Sequence, residues 1–542
     1  MVNFYSILPG SAVAKGGAAE VGNKAWNLMR MVQAGLPVPP AFVLPTRWCQ
    51  PVEPANDTAL KQTLCEGVLR LESATGQSFG AKRMPLLVSV RSGAAVSMPG
   101  MMETVLNIGL NSVTVEALIR LTGNPRLAWD SYRRLVQSYA EVVAGLSVMP
   151  FDALVAAALK QEEAEDESEL DHRSLRTLTG AMLECYRTLA GSPFPSEPEE
   201  QLAAAAAAVF RSWYATKAAS YRKLSGTDAG AGTAVTVQTM VFGNAGGDSG
   251  AGVAFTRNPS NGVRELYFDF QFNAQGEDVV SGRQMLRDKD RLPLVLPAAW
   301  AKLNEISHEL EKLFRDVQDF EFTIQDGVLY LLQTRDAKRT TWAALTIVVD
   351  MVEEGLLTPA EALTRLASID LSSVVRSSFA PPVPETLAVA EVAGMGVASG
   401  AMALDSDTVK RLSNAGTPSI LVRRDTVTAD IDGMALAAGI LTASGGRTSH
   451  AAVVARHLGK VCLVACPGLE INLGRRECLL GGTLIKEGDF LSLDGNTGAV
   501  HLGRLKTLIE RPEKALAVIA RWHADAAQAA ETKSTSSLAG TP

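Results

Sequence analysis

From residue 318 to 325 hydrophobic and polar positions alternate. Phe320, Phe322 and Ile324 interleave with Asp319, Glu321 and Thr323, a turn follows at Asp326-Gly327, and Val328 to Arg335 runs back. Period-2 alternation before an Asp-Gly turn, with a run rich in apolar residues after it, predicts a β-hairpin with one face buried. Residues two apart in a strand share a face, so Asp319 and Glu321 project together, with Gln333 and Arg335 on the returning strand. Two carboxylates on one face are the hard oxygen ligands that Mg²⁺ takes. A lone Asp-x-Glu also occurs on solvated strand faces.

Other stretches have other periods. Gly16-Gly17 and Gly22-Asn23-Lys24-Ala25 lead into a helix ending near Gly35, and Pro37, Pro39 and Pro40 then force an extended run into Ala41-Phe42-Val43-Leu44. Leu86 to Val90 is an apolar strand that ends in Arg91, followed by Ser92-Gly93. Residues 112–225 read as mostly helical, with an amphipathic run from Trp129, an acidic stretch from Gln161 to Asp171 and an alanine run from Ala203 to Ala208. Thr236 to Val241 is a strand pattern, and Gly243 to Gly252 reads as a glycine-rich hairpin that leads to a second strand. Residues 340–378 predict two helices, and the prolines of 380–384 mark a linker. Many short apolar strands fill 385–505, and 506–542 opens as a helix and closes as a flexible polar tail.

Four of these stretches carry candidate chemistry. Ala438 to Thr442 reads as a strand, Gly445-Gly446 as a turn, Thr448 and Ser449 as helix-capping residues, and His450 falls in the first turn of the helix that follows. A helix start attracts anions, and imidazole is a nucleophile at neutral pH, so His450 suits a phosphoryl carrier. The same local pattern fits a surface histidine after a turn. Lys24, beside a glycine at a helix start, suits a phosphate contact or is an ordinary solvated lysine. Arg91 either chelates phosphate oxygens or pairs with a buried carboxylate. The backbone N–H groups of Gly246, Asp248, Ser249 and Gly250 suit a triphosphate, or form a plain turn. No Gly-x-x-x-x-Gly-Lys loop occurs, and the Gly-Asp-Ser-Gly echo of a serine nucleophile lacks a histidine and aspartate pattern to support it.

Taken together, Gly445-Gly446-Arg447-Thr448-Ser449-His450-Ala451-Ala452-Val453-Val454-Ala455-Arg456, the segment from Leu86 to Val105, the run Phe272-Asn273-Ala274-Gln275-Gly276-Glu277-Asp278 and the 318–335 hairpin resemble the pyruvate phosphate dikinase and phosphoenolpyruvate synthase family. Ala95 and Glu103 depart from the family pattern, which has a larger residue and aspartate there. The resemblance implies an α/β (α+β) fold. An ATP-grasp nucleotide-binding domain at 1–340, with a helical subdomain at about 112–225, would be followed by a helical and proline-rich linker at 341–384. A swivelling β/β/α phosphohistidine domain would occupy 385–505, and a helix and tail 506–542. It implies ATP and Mg²⁺ as cofactors, with AMP formed as His450 takes up phosphate. Arg335 and Thr448 would assist catalysis, Asp319 and Glu321 would hold the metal, and Lys24, Arg91, Gln238, Met240, Gly246, Asp248, Ser249, Gly250, Glu277 and Gln333 would bind ATP.

Composition narrows the partners. The chain has 542 residues, a net charge of −7 and 47% hydrophobic residues, which implies more than one domain and argues against a nucleic-acid partner, since that usually calls for a basic face. No apolar run reaches the ~20 residues that span a bilayer, the N-terminus lacks a signal peptide pattern, and six scattered cysteines suit a reducing cytoplasm. Members of the family continue into a β/α barrel for pyruvate, which these residues lack. The expectation is therefore a separate acceptor-binding subunit and a small-molecule phosphoryl acceptor, as in a split aryl or benzyl phosphate synthase. Pyruvate on a separate barrel chain and a non-catalytic nucleotide-binding regulator are the alternatives.

Overall fold

The computed structural model describes residues 3–49, 58–95, 103–215, 218–219, 222, 232–280, 288–426, 430–445 and 450–538. Two antiparallel sheets form the nucleotide-binding half. The first runs Tyr5–Ile7, Ala41–Leu44, Ala234–Thr239, Val88–Gly93, Thr104–Ile108. Ala41–Leu44 and Ala234–Thr239 are buried at every position, so they read as continuous apolar or threonine-rich runs without alternation. The second sheet runs Val328–Asp336, Gln318–Gln325, Gly250–Phe255, Tyr267–Phe272.

The helix Gly17–Gln33 joins the second sheet to the first. Its buried Val21, Ala25, Leu28 and Met31 share one core with Phe320, Phe322, Ile324, Leu329 and Leu331. Each such leucine or phenylalanine contributes roughly 1.5–3 kcal/mol by burial. Asn27 Nδ2 donates to the Thr334 carbonyl at 2.9 Å, which fixes the helix against the hairpin.

Between the strands Thr104–Ile108 and Ala234–Thr239 lie the helices Thr114–Thr122, Pro125–Val142, Met149–Gln161, His172–Ala190 and Pro198–Ser212. Their starts are chemically marked: Asn124 accepts the N–H of Leu127 with Pro125 next to it, and Asp171 accepts those of Arg173 and Ser174. Tyr132, Tyr139, Tyr186 and Phe194 pack edge to face or tilted in their core.

The histidine-bearing half is an eight-stranded mixed sheet in the order Thr386–Val389, Ala499–Leu502, Phe490–Asp494, Val397–Ala403, Ser419–Arg423, Gly439–Thr442, Val461–Val464, Glu391–Gly394. The helix His450–His457 packs on it through Ala451, Ala452 and Ala455 against Ala393 and Cys462. No β/α barrel is present among the described residues.

The structure changes two expectations of chain layout. The glycine run forms no hairpin, because Ala234–Thr239 and Gly250–Phe255 belong to different sheets and the run crosses between them. The C-terminal segment opens as a strand: Thr507–Glu510 pairs antiparallel with Arg376–Phe379 of the linker. The helix after it runs Glu513–Leu538, through residues expected as a flexible tail, and Ile519 and Trp522 pack back on the linker helices Thr341–Glu353 and Pro359–Leu366. Segments so far apart in sequence leave no periodic signal of their pairing.

Candidate active site

Helix Gly17–Gln33 breaks at Gly22, which adopts φ 75° and ψ 154°. A Cβ there would lie 2.0 Å from the Gly93 carbonyl oxygen, so only glycine lets the helix touch the end of the strand Val88–Gly93. Asn23 N–H donates to the Ala94 carbonyl at 2.9 Å in the same contact. Lys24 follows directly and shares its surroundings with Arg91, Glu321 and Arg335.

The carboxylates arrive by a shift in strand register. Near the turn, Gln325 opposes Val328 and Phe322 opposes Leu331, but a bulge between Glu321 and Phe322 sets Glu321 opposite Gln333 and Asp319 opposite Arg335. Leu329 and Leu331 are buried, whereas beyond the bulge Thr334 is the buried residue and Gln333 and Arg335 are more open. One extra residue thus moves Gln333 and Arg335 from the core face to the face that carries the carboxylates.

The resulting contacts are specific. Arg335 Nε donates to Asp319 Oδ2 at 2.7 Å, Gln333 Nε2 to Glu321 Oε1 at 2.7 Å, and Arg91 Nη2 to Glu321 Oε2 at 3.2 Å. Of the two readings of Arg91, the structure shows the pairing with a carboxylate, and that carboxylate is itself a metal candidate. Burial raises the Asp319 pKa, with Arg335 opposing. Arg91 Nε and Gln333 Oε1 are buried and have no hydrogen-bond partner among the described residues. Buried polar atoms are rarely left so, which fits a site that takes a polar ligand.

The charge balance also fits Mg²⁺ and a polyphosphate. Each carboxylate is neutralised by an arginine, and a metal–triphosphate pair would exchange those partners: carboxylates to metal, arginines and Lys24 to phosphate. No group of three or more His, Cys, Asp and Glu stands together among the described residues. Two carboxylates suffice for Mg²⁺, which is held by one or two of them plus phosphate oxygens and water.

Burial, and next the charge of Arg91, bring the Lys24 pKa down from 10.5 to about 7. At pH 8 the free site then holds a mostly neutral lysine, and an arriving polyanion restores its proton. With excess Mg²⁺, binding of ATP at pH 8 will take up close to one proton per site, and uptake will fade by pH 6. Apparent affinity will therefore weaken as pH rises through 7. Calorimetry in buffers of different ionisation enthalpy reads the uptake, and Lys24→Met should remove it. Uptake unchanged in that variant would assign the proton elsewhere.

A cleft of about 550 Å³ opens beside these residues, and Arg91, Gln238, Met240 and Glu321 line it. Gln238 Nε2 donates to the Pro39 carbonyl at 3.4 Å, and Met240 N–H to the Leu87 carbonyl at 2.9 Å. Gly246, Asp248, Ser249 and Gly250 do not line it. The glycines of their loop divide into two kinds. A Cβ on Gly243 would lie 2.2 Å from the Ala274 carbonyl, and one on Gly250 2.2 Å from the Phe270 ring, so packing requires those two. Gly246 and Gly247 face open space. Ser249 is buried and its hydroxyl accepts the Asp326 N–H at 2.9 Å, while the Asp248 carbonyl accepts the Gly327 N–H at 2.8 Å. Both tie the loop to the turn of the carboxylate hairpin.

Arg133 and Arg134 also line the cleft, and sequence reading missed them. Asp130 receives Arg133 Nη2 at 2.7 Å and Arg134 Nε at 2.9 Å, and Arg134 Nη1 reaches Asp278 at 2.7 Å. Burial would raise the Asp130 pKa, but Arg134 and Arg133 outweigh it and hold the carboxyl below the usual range. The i,i+3 and i,i+4 spacing from Asp130 was the available signal. Thr448, with Arg447 and Ser449, lies outside the described residues, as do residues 96–102 and the side chains of Glu277 and His450. For His450 the structure shows its place at the start of helix His450–His457.

Comparison with known proteins gives the family. Residues 53–292 match the pyruvate phosphate dikinase AMP/ATP-binding domain, and residues 416–498 the mobile domain of PEP-utilising enzymes. The chain is 42% identical over 494 residues to the pyruvate, phosphate dikinase of Clostridium symbiosum and 40% identical over 538 residues to that of Rhizobium meliloti. The chain belongs to the pyruvate phosphate dikinase family. The alignments take in 90% and 96% of this chain but only 56% and 60% of those two enzymes, so it spans little more than half the length of the curated relatives it matches. A chloroplastic pyruvate, phosphate dikinase of Zea mays is 40% identical over 490 residues. Dikinases of this family use ATP and Mg²⁺ in the nucleotide-binding domain. Among the described residues no helix is long and apolar enough to cross a membrane.

Proposed function

We propose that this chain is the nucleotide-binding and phosphohistidine part of a dikinase-type phosphotransferase. The observation that carries the reading is the convergence of Lys24, Arg91 and Arg335 on the Asp319–Glu321 carboxylates, in a chain that also bears the mobile domain with His450. A His450 ring nitrogen bonds to the β-phosphorus of ATP, the bond from that phosphorus to AMP breaks, and the γ-phosphoryl leaves to water or phosphate. Lys24, Arg91 and Arg335 hold the phosphate oxygens in place, which is most of what phosphoryl transfer requires. Mg²⁺ held by Asp319 and Glu321 supplies charge neutralisation when bound. Gln238 and Met240 sit where the cleft would take the adenine.

We place the acceptor on a separate cytoplasmic subunit and assign it to phenolic or benzylic alcohols. Pyruvate is the second reading, favoured by the names of the relatives above. The paired carboxylates and cations argue against a regulator that only binds nucleotide. Without a partner the chain will release AMP in a burst of about one per site, because the charged histidine has nowhere to unload. With the partner and its acceptor, AMP and phosphorylated product will accumulate steadily in equal amounts. A time course with a phenol in one arm and pyruvate in the other reads both. Continuous conversion of pyruvate by this chain alone would sink the two-subunit reading.

A further inference from the structure

The two halves of the chain meet edge to edge. Tyr267–Phe272 is the outer strand of the four-stranded sheet, and Glu391–Gly394 is the outer strand of the eight-stranded sheet. The two edge strands belong to separate sheets, and side chains bridge them. The Tyr267 hydroxyl donates to the Val392 carbonyl at 3.4 Å, and Lys289 forms an ion pair with Glu391. Lys289 is held at the far end of the same edge strand, because its neighbour Asp288 is buried and accepts the Phe272 N–H at 3.1 Å. Two long side chains thus reach from the two ends of one strand to adjacent residues of the other half.

Both sides of this contact lead to the reacting groups. Tyr267 pairs with Phe255, and Phe255 with Asp319, so the Tyr267 backbone sits two strand spacings, about 10 Å, from the backbone of a candidate metal carboxylate. On the other side, Ala393 follows Val392 and packs in one core with Ala451, Ala452 and Ala455 of the helix that begins at His450. Small residues at that contact leave little room for the helix to slide, so the placement of Glu391–Gly394 sets the placement of the helix start.

We propose that the Lys289–Glu391 pair is a docking latch that holds the histidine-bearing half against the nucleotide-binding half and so positions His450 for charging. The proposal rests on the reading of His450 as the phosphate carrier. Lys289 and Glu391 are positioning residues: the pair acts through the placement of Glu391–Gly394 and of the helix that begins at His450. About three-tenths of each side chain is exposed, so the pair is strong enough to bias docking and weak enough to release.

The test is charge reversal with a second, independent readout. Lys289→Glu and Glu391→Lys will each slow the formation of phosphoenzyme about five- to twentyfold, with the affinity for ATP unchanged. The double reversal will restore the rate to within about threefold, which a merely destabilising effect would not do. A zero-length carbodiimide reagent will join Lys289 to Glu391 in the parent protein, found as a linked peptide by mass spectrometry. That link requires the contact but not phosphorylation. Single variants that charge within twofold of the parent, a double variant that stays slow, or a missing link would each overturn the latch. A link present in a protein that never takes phosphate would leave the latch standing and refute the phosphohistidine reading.

Discussion

His450→Ala will abolish the phosphoenzyme. With Mg²⁺ and ATP labelled at the β-phosphate, the parent chain will take up acid-labile, base-stable label, as a phosphoramidate should, and the variant will take up at least about a thousandfold less. The loss is large because a covalent carrier has no substitute: the other groups of the site hold phosphate but cannot accept it. Alanine adds no bulk at the first residue of helix His450–His457, so the fold and the melting temperature should hold. Nucleotide affinity should hold as well, because Lys24, Arg91, Gln238 and Met240 belong to the other half of the chain. Label that persists in the variant, or label that comes from the γ-phosphate alone, would remove His450 from its role.

The next largest effect is expected at the carboxylates. Asp319→Asn and Glu321→Gln will each cut phosphoenzyme formation by a factor on the order of 10² to 10³, and raise the Mg²⁺ needed for half-maximal rate. Each substitution keeps the shape of the side chain but removes one negative charge, and with it the ion pair to Arg335 or Arg91. The arginine left behind loses its aim as well, which is why the expected loss exceeds that of one metal ligand. The melting temperature should fall only modestly, because the amide that replaces each carboxylate keeps an oxygen that can accept the arginine N–H. Rates measured across a Mg²⁺ titration check this directly. If both variants charge His450 at near-parent rates, the two carboxylates are only a polar strand face.

These expectations differ in how far they were legible in the residues alone. Alternation along 318–325 put Asp319 and Glu321 on one face, and the structure buries Phe320, Phe322 and Ile324 on the other. A strand states its own faces, because its period is two wherever it lies. The glycine and proline punctuation around Gly22 and Pro37 likewise marked a helix and an extended strand by local sterics, and both are present. The long motif around His450 and the run at 272–278 pointed to the family, and residue-by-residue similarity to the dikinases bears it out.

What only the tertiary structure decided is which of these groups meet. The bulge beyond Phe322 sets Gln333 and Arg335 opposite the carboxylates, and without it the tight turn would have paired Glu321 with Leu332. A single extra residue reverses every face after it, and no local period announces it. Gly243 and Gly250 look like phosphate-loop glycines along the chain, yet the Ala274 carbonyl and the Phe270 ring require them. The depressed pKa of Lys24 arises from burial and from Arg91, 67 residues away in sequence. The strand Thr507–Glu510 finds its partner at Arg376–Phe379 across the whole histidine-bearing half. Local sterics and periodicity act within a few residues, so the sequence by itself determined the elements and the chemistry they carry. Register, close backbone approach and charge coupling act between elements, and those placed the chemistry in one site.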